Sequence, residues 1–198
     1  MLKYVACGIL SCMIILACSK KDGFEKDVPD PSIHKGFTEY FITKGQHYSA
    51  QSAQIVLNTP SIKCDVIFDS SAIYQNTEPN NQLDVNKLIG FSDCGAGHHE
   101  NSARLGWNWN GKQIVIYAYA YAGTERIILP IDSVKIGEAF SCSVEAIEGN
   151  YHFAVADKKL TIQRFCNNYS GSFYKLFPYF GGDETAPHDI RIYIREQQ

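Results

Sequence analysis

The sequence predicts an all-β fold, an antiparallel two-sheet β-sandwich, on three observations. Short runs enriched in β-branched and aromatic residues recur from Phe37 to Ile194, and such residues suit a pleated, half-buried surface. Turn signals separate them, with Asn110-Gly111, Ala122-Gly123-Thr124, Glu148-Gly149-Asn150 and Asp157-Lys158 at the reversals. Only Leu83 to Ile89 carries a helical pattern, and it is too short for more than a turn or two.

The first element is not part of the fold. Lys3 gives a short basic start, Tyr4 to Ala17 is apolar apart from Ser11, and Ala17 places a small residue before Cys18. That is the make-up of a signal peptide over residues 1–17. The apolar run is too short for a spanning helix, which needs about 20 residues. Ile15-Leu16-Ala17-Cys18 resembles the lipobox of bacterial lipoproteins. The resemblance implies lipidation of Cys18 and export to the bacterial envelope. It points to the outer membrane, with periplasmic and surface exposure both open, and to membrane contact through the lipid anchor alone.

Residues 18–33 follow as a tether. Ser19-Lys20-Lys21-Asp22-Gly23 and Glu25-Lys26-Asp27-Val28-Pro29-Asp30-Pro31 are charged and proline-punctuated, too polar to bury surface and order themselves. Residues 34–198 form one domain, large enough to be stable on its own core. The formal net charge is −3, and loss of Lys3 makes it one unit more negative. A mildly acidic domain without a basic stripe argues against nucleic acid, whose phosphates demand concentrated Lys and Arg.

Within the domain the strand readings run Phe37–Ile42, Ile62–Phe68, Ala103–Trp109, Gln113–Ala122, Arg126–Ile131, Ala139–Ile147, Tyr151–Ala156, Leu160–Phe165 and Asp189–Ile194. The alternation is sharpest at Val115-Tyr117-Tyr119-Tyr121, which faces opposite to Ile114-Ile116-Ala118-Ala120. Cys64, Cys94, Cys142 and Cys166 remain in the domain. Export permits disulfides, and four cysteines allow three complete pairings that sequence cannot separate. Cys64 and Cys142 fall on apolar phases, where a cysteine also serves as a small buried hydrophobe. No close Cys-Cys pair suggests a zinc site.

Four segments carry a resemblance: residues 37–47 (FTEYFITKGQH), 101–107 (NSARLGW), 116–121 (IYAYAY) and 174–188 (YKLFPYFGGDETAPH). With the order of elements they resemble the concanavalin A-like jelly rolls, and more narrowly small uncharacterised lipoproteins of that fold from glycan-degrading bacteria. The resemblance implies a jelly roll with a concave sheet able to hold carbohydrate. The superfamily's hydrolase pattern Glu-x-Asp-x-x-Glu and the alginate-lyase pattern Arg-x-Glu-x-Arg are both missing, which weakens an enzyme reading.

The candidate ligand residues are weighed on that scaffold. Tyr117, Tyr119 and Tyr121 project at period two and would form a platform with polar tips for sugar faces; equally, they pack beneath loops. Trp107 reads as core, and Trp109, beside a turn, as the better ligand residue. Arg104 shares a face with Asn108, where a guanidinium either takes a carboxylate or sulfate of an acidic glycan bidentately or holds a structural carboxylate.

The loop Asp93 to Asn101 offers His98 and His99 as a base or as metal ligands, although adjacent histidines reach one ion only from a loop. Tyr179, Asp183 and His188 stand in a glycine-bearing turn before the last strand. Asp183 or Asp189 would supply calcium ligands, without the spacing of a dedicated loop. No cofactor is expected.

The leading expectation is a lipid-anchored, noncatalytic domain binding an oligosaccharide or polysaccharide. A polysaccharide lyase or glycoside hydrolase is the runner-up, and a protein-interaction module the third. Lyase chemistry needs a tyrosine or histidine base beside a cation or amide, and Tyr117, Tyr119, His47, His98, His152, Arg104 and Asn108 provide the types.

Overall fold

The structure, a computed structural model, describes residues 34–166 and 172–197. The signal segment, Cys18 and the tether at 18–33 lie outside the described residues. The strands are β1 (Thr38–Ile42), β2 (Val56–Leu57), β3 (Ser61–Phe68), β4 (Asn86–Ser92), β5 (Asn101–Trp109), β6 (Ile114–Ala122), β7 (Glu125–Val134), β8 (Phe140–Ile147), β9 (Asn150–Val155), β10 (Lys158–Gln163), β11 (Phe173–Leu176) and β12 (Ile190–Glu196). They make two six-stranded sheets, ordered β1-β12-β3-β8-β9-β10 and β2-β11-β4-β5-β6-β7, with antiparallel neighbours throughout. This is the expected jelly-roll sandwich. None of the described helices is long and apolar enough to cross a membrane.

The core lies between the sheets. Val66, Phe68, Val144, Phe153 and Ile192 of the first sheet meet Ile89, Phe91, Leu105, Trp107, Ile116 and Ala118 of the second. Strict alternation sends Ile114, Ile116, Ala118 and Ala120 into this layer. The tyrosines between them therefore face outward. Trp107 is fully buried and lies 4.9 Å from the Phe68 ring.

The helical reading of Leu83 to Ile89 fails. The segment runs into β4, which pairs with β5 and carries a register shift between Lys87 and Ile89. The extra residue of this bulge leaves Leu88 and Ile89 both buried. Val85, Leu88 and Ile89 thus acquire the i, i+3, i+4 spacing of a helix inside a strand. β11 and β2 were not expected either. Each is short, and β11 alternates Phe173 and Lys175 as buried residues, because Lys175 forms an ion pair with Glu196.

Past the ends of β4 and β10, Cys94 and Cys166 form a disulfide across 72 residues. A cross-link closing a loop of that length stabilises by about 4 kcal/mol. Cys64 and Cys142 are buried free thiols directly opposite in β3 and β8, their sulfurs 3.4 Å apart and hydrogen-bonded. Beside the disulfide, Asp93 and Arg164 make a buried ion pair, with Nη2 donating to Oδ1 at 2.7 Å. The Tyr151 hydroxyl donates to Asp93 Oδ2 at 2.7 Å. Burial and this hydrogen bond push the Tyr151 pKa upward. The loop Asp93 to Asn101 is therefore pinned at its first residue.

Candidate functional site

A groove of about 560 Å³ opens on the outer face of the second sheet. Its floor comes from four adjacent strands: Lys87 of β4, Arg104 of β5, Tyr119 and Tyr121 of β6, and Arg126 of β7. Register explains the assembly, since Arg104 lies opposite both Gly90 and Tyr119, and Tyr121 opposite Arg126. Paired residues of an antiparallel ladder share a face. Loop residues complete the walls: His98 and His99 at one side, Tyr48, Phe177, Tyr179 and Asp183 at the other.

Two glycines make room for the cations. A Cβ at Gly90 would strike the Ala103 carbonyl and the Arg104 stem, and one at Gly181 would strike the Lys87 ammonium. Gly181 is held over the strand by its N–H, which donates to Asn86 Oδ1 at 2.8 Å. Lys87 and Tyr179 exchange backbone hydrogen bonds of 2.9 and 3.0 Å, which fixes the Tyr179 ring beside the lysine.

Electrostatically the floor is cationic and aromatic. Arg104 Cζ and Lys87 Nζ each lie 5.1 Å from the Tyr119 ring centroid, within cation–π range. Lys87 Nζ is also 5.5 Å from the Tyr179 centroid. Arg104 is only 6% exposed, and its Nε has no hydrogen-bond partner. No carboxylate among the described residues pairs with Arg104 or Lys87.

Proton affinities follow. Burial, reinforced by Arg104 and Arg126, depresses the Lys87 pKa to about 8. Burial and the same arginine lower that of His98. Burial, together with the Tyr121 hydroxyl, raises that of Tyr119, so the phenol stays protonated.

The expected ligand residues divide into three groups. Arg104, Tyr119, Tyr121, His98, Tyr179 and Asp183 come together in the groove. Tyr117 and Asn108 share that face but lie beyond its end, where residues 82–85 cover the sheet. Tyr117 donates to Asn108 Oδ1 at 3.3 Å, and fully buried Asn108 donates to the Leu83 carbonyl at 2.9 Å. The continuous three-tyrosine platform is thus corrected to two rings, because a loop occupies the position of the third.

Trp109 and His188 lie away from the groove, around a second pocket. Trp109 shares the phase of Leu105 and Trp107, so period two turns it toward the core layer. His188 donates from Nε2 to the Ser71 carbonyl at 2.8 Å.

Of the remaining types, His47 stacks on Tyr179 at 5.1 Å and its Nδ1 bonds the Phe180 carbonyl. His152 is on β9 of the other sheet, against Thr161. Neither aspartate considered for calcium joins a cluster of potential ligands. Asp189 accepts from the Lys44 N–H at 2.9 Å, and the single three-group cluster among the described residues is Asp93 with the disulfide sulfurs.

Sequence reasoning missed Lys87, Arg126 and Tyr48. Lys87 was hidden by the bulge. His99, offered together with His98 in their shared loop, has its ring 5.2 Å from Tyr121. Arg126 could have been found by register, being the residue opposite Tyr121 once the Gly123 turn is placed.

No family model and no curated sequence matches the chain. Solved structures do match its fold. The alginate lyase AlyC3 superposes with a TM-score of 0.62 at 8% identity, covering 85% of this chain and 76% of that one. A Bacteroides ovatus mixed-linkage glucan glycoside hydrolase of family 16, in complex with a product, gives 0.52 at 12% identity, covering 81% and 79%. An uncharacterised protein from Mycobacterium paratuberculosis also gives 0.52, at 8% identity, covering 82% and 80%. At these identities the likeness establishes the jelly-roll fold.

Proposed function

We propose that the groove binds an acidic glycan, an oligosaccharide or polysaccharide bearing carboxylates or sulfates, and that the domain does so at a bacterial envelope to which lipid on Cys18 holds it. The observation that carries this reading is Arg104. A buried guanidinium without a carboxylate is costly unless something pairs with it. Around this one stand aromatic rings and a second cation, so the missing counter-charge belongs to a ligand. A planar fork matches a carboxylate or sulfate bidentately, and Lys87 adds a point charge beside it.

The rings of Tyr119, Tyr121 and Tyr179 supply flat apolar surface with polar tips, suited to pyranose faces flanked by hydroxyls. That two solved structures of this fold are named for polysaccharide-degrading enzymes supports carbohydrate as the ligand class. A glycan array probed with the purified domain tests the reading. Polyuronates and sulfated glycans should bind and neutral glucans should not bind in the groove; no binding to any acidic glycan would overturn it.

A second reading, β-elimination of a uronate glycan, is favoured by one specific observation. Lys87 and His98 both have lowered pKa values and share the groove with Arg104. Either, unprotonated, would remove the proton beside the uronate carboxylate while Arg104 neutralises the carboxylate. Tyr119, kept protonated by burial, would protonate the departing oxygen. Ultraviolet absorbance from unsaturated uronate products would replace simple binding with this activity.

The anchor is tested separately. Mass spectrometry of the mature chain should find acylated Cys18 at its N-terminus, and a Cys18→Ala chain should leave the membrane fraction.

A further inference from the structure

A second pocket, of about 750 Å³, lies at the end of the sandwich where the β5–β6 hairpin meets residues 69–82. It shares no lining residue with the groove. Its walls are chemically different. Trp109, Tyr74, Pro79 and the partly exposed Ile73 give apolar surface, while Gln75, Asn76, Gln82 and His188 are polar; none of the lining residues is Lys, Arg, Asp or Glu.

The walls are fixed by hydrogen bonds. Gln82 Nε2 donates to the carbonyls of Trp109 at 2.9 Å and Tyr74 at 3.2 Å, and its Oε1 accepts from the Asn76 N–H at 2.9 Å. Asn76 Nδ2 donates to the Asn81 carbonyl at 2.7 Å. One atom of this network is left over. Asn76 is 6% exposed, yet its Oδ1 has no donor, and an unsatisfied buried acceptor costs about 1–3 kcal/mol.

We propose that this pocket is a second, independent binding site for an uncharged sugar unit, whose C–H face lies against Trp109 and whose hydroxyl donates to Asn76. The absence of ionic side chains from the lining selects against the acidic ligand proposed for the groove. An indole with an amide acceptor in the same pocket suits a molecule with one apolar face and a rim of hydroxyls. The two sites together would let the domain hold a neutral stretch and an acidic stretch of glycan at once, and such paired contacts raise avidity without strengthening either.

The chain has two tryptophans, which makes the test direct. In NMR spectra of the whole protein, titration with cellotetraose, maltotetraose or chitotriose should shift the Trp109 indole resonance, which Trp109→Phe identifies by its loss. Ile73→Glu, placing a charge on the exposed rim, should weaken that binding by about tenfold or more. Arg104→Met should leave it unchanged, so the second site stands or falls apart from the groove. If none of these sugars at millimolar concentration moves the Trp109 resonance, or if Ile73→Glu leaves binding intact, the site is not there. Binding abolished by Arg104→Met would also overturn it, since the sugar would then be in the groove.

Discussion

Arg164 and Arg104 are almost equally buried, at 3% and 6% exposure, yet the molecule treats them in opposite ways. Arg164 meets the Asp93 carboxylate, which also accepts from Tyr151 and lies against the Cys94–Cys166 disulfide. Arg104 meets the Tyr119 ring and stands near Lys87, with no carboxylate to pair it. Arg164 has its carboxylate inside the fold; on the function proposed above, the carboxylate or sulfate for Arg104 comes with a ligand. The contrast is between a cation paired by the sandwich itself and one that faces an open groove.

Removing the counter-charge on the structural side should have the largest effect. Asp93→Ala removes the carboxylate that pairs with buried Arg164, and breaking such a pair costs about 3–5 kcal/mol. Urea unfolding should show the loss; a loss below about 1 kcal/mol would mean that Arg164 is solvated or re-paired. On the other side, Arg104→Met should be nearly neutral or stabilising, within about 1 kcal/mol, because an apolar side chain replaces an uncompensated charge. A large destabilisation there would make Arg104 structural and erase the comparison.

The smaller effect is on pH. In the free groove Lys87 titrates near 8, and an anionic ligand raises that value in the complex. The affinity that Lys87 contributes is fully present below pH 8 and is lost as pH rises through the higher value of the complex. Binding of an acidic oligosaccharide should therefore fall between pH 7 and pH 10, by about tenfold for each unit by which the ligand raises the pKa. Lys87→Met should bind more weakly at pH 7 and lose this dependence. A wild-type profile flat across that range would remove Lys87 from the ligand contact.

Most of the sandwich was legible because period-two alternation is a local property. Val115 to Ala122 announces both its faces, and the same rule places Arg104 with the tyrosines. What local pattern could not show is where a distant segment covers a face. Residues 82–85 lie over Asn108 and Tyr117, as the Asn108–Leu83 hydrogen bond and the place of Val85 beside Gly106 reveal. The bulge at Lys87 defeated the reading in another way, by lending a strand the spacing of a helix. It thereby hid the groove's second cation. Trp109, read as a ligand residue beside the turn, lies away from the groove, since it shares the core-facing register of Trp107 and opens onto the sandwich end. The disulfide partners lie 72 residues apart, a separation that no periodicity encodes.

The central claim is that Arg104 awaits an acidic ligand. Isothermal titration of wild-type protein and Arg104→Met with a polyuronate oligosaccharide tests it most directly. The account predicts saturable binding by the wild type, weakened by raised salt, and affinity at least about a hundredfold lower for the variant, the loss of a charge-assisted bidentate contact. Equal affinity in the two proteins, with both folded, would contradict it.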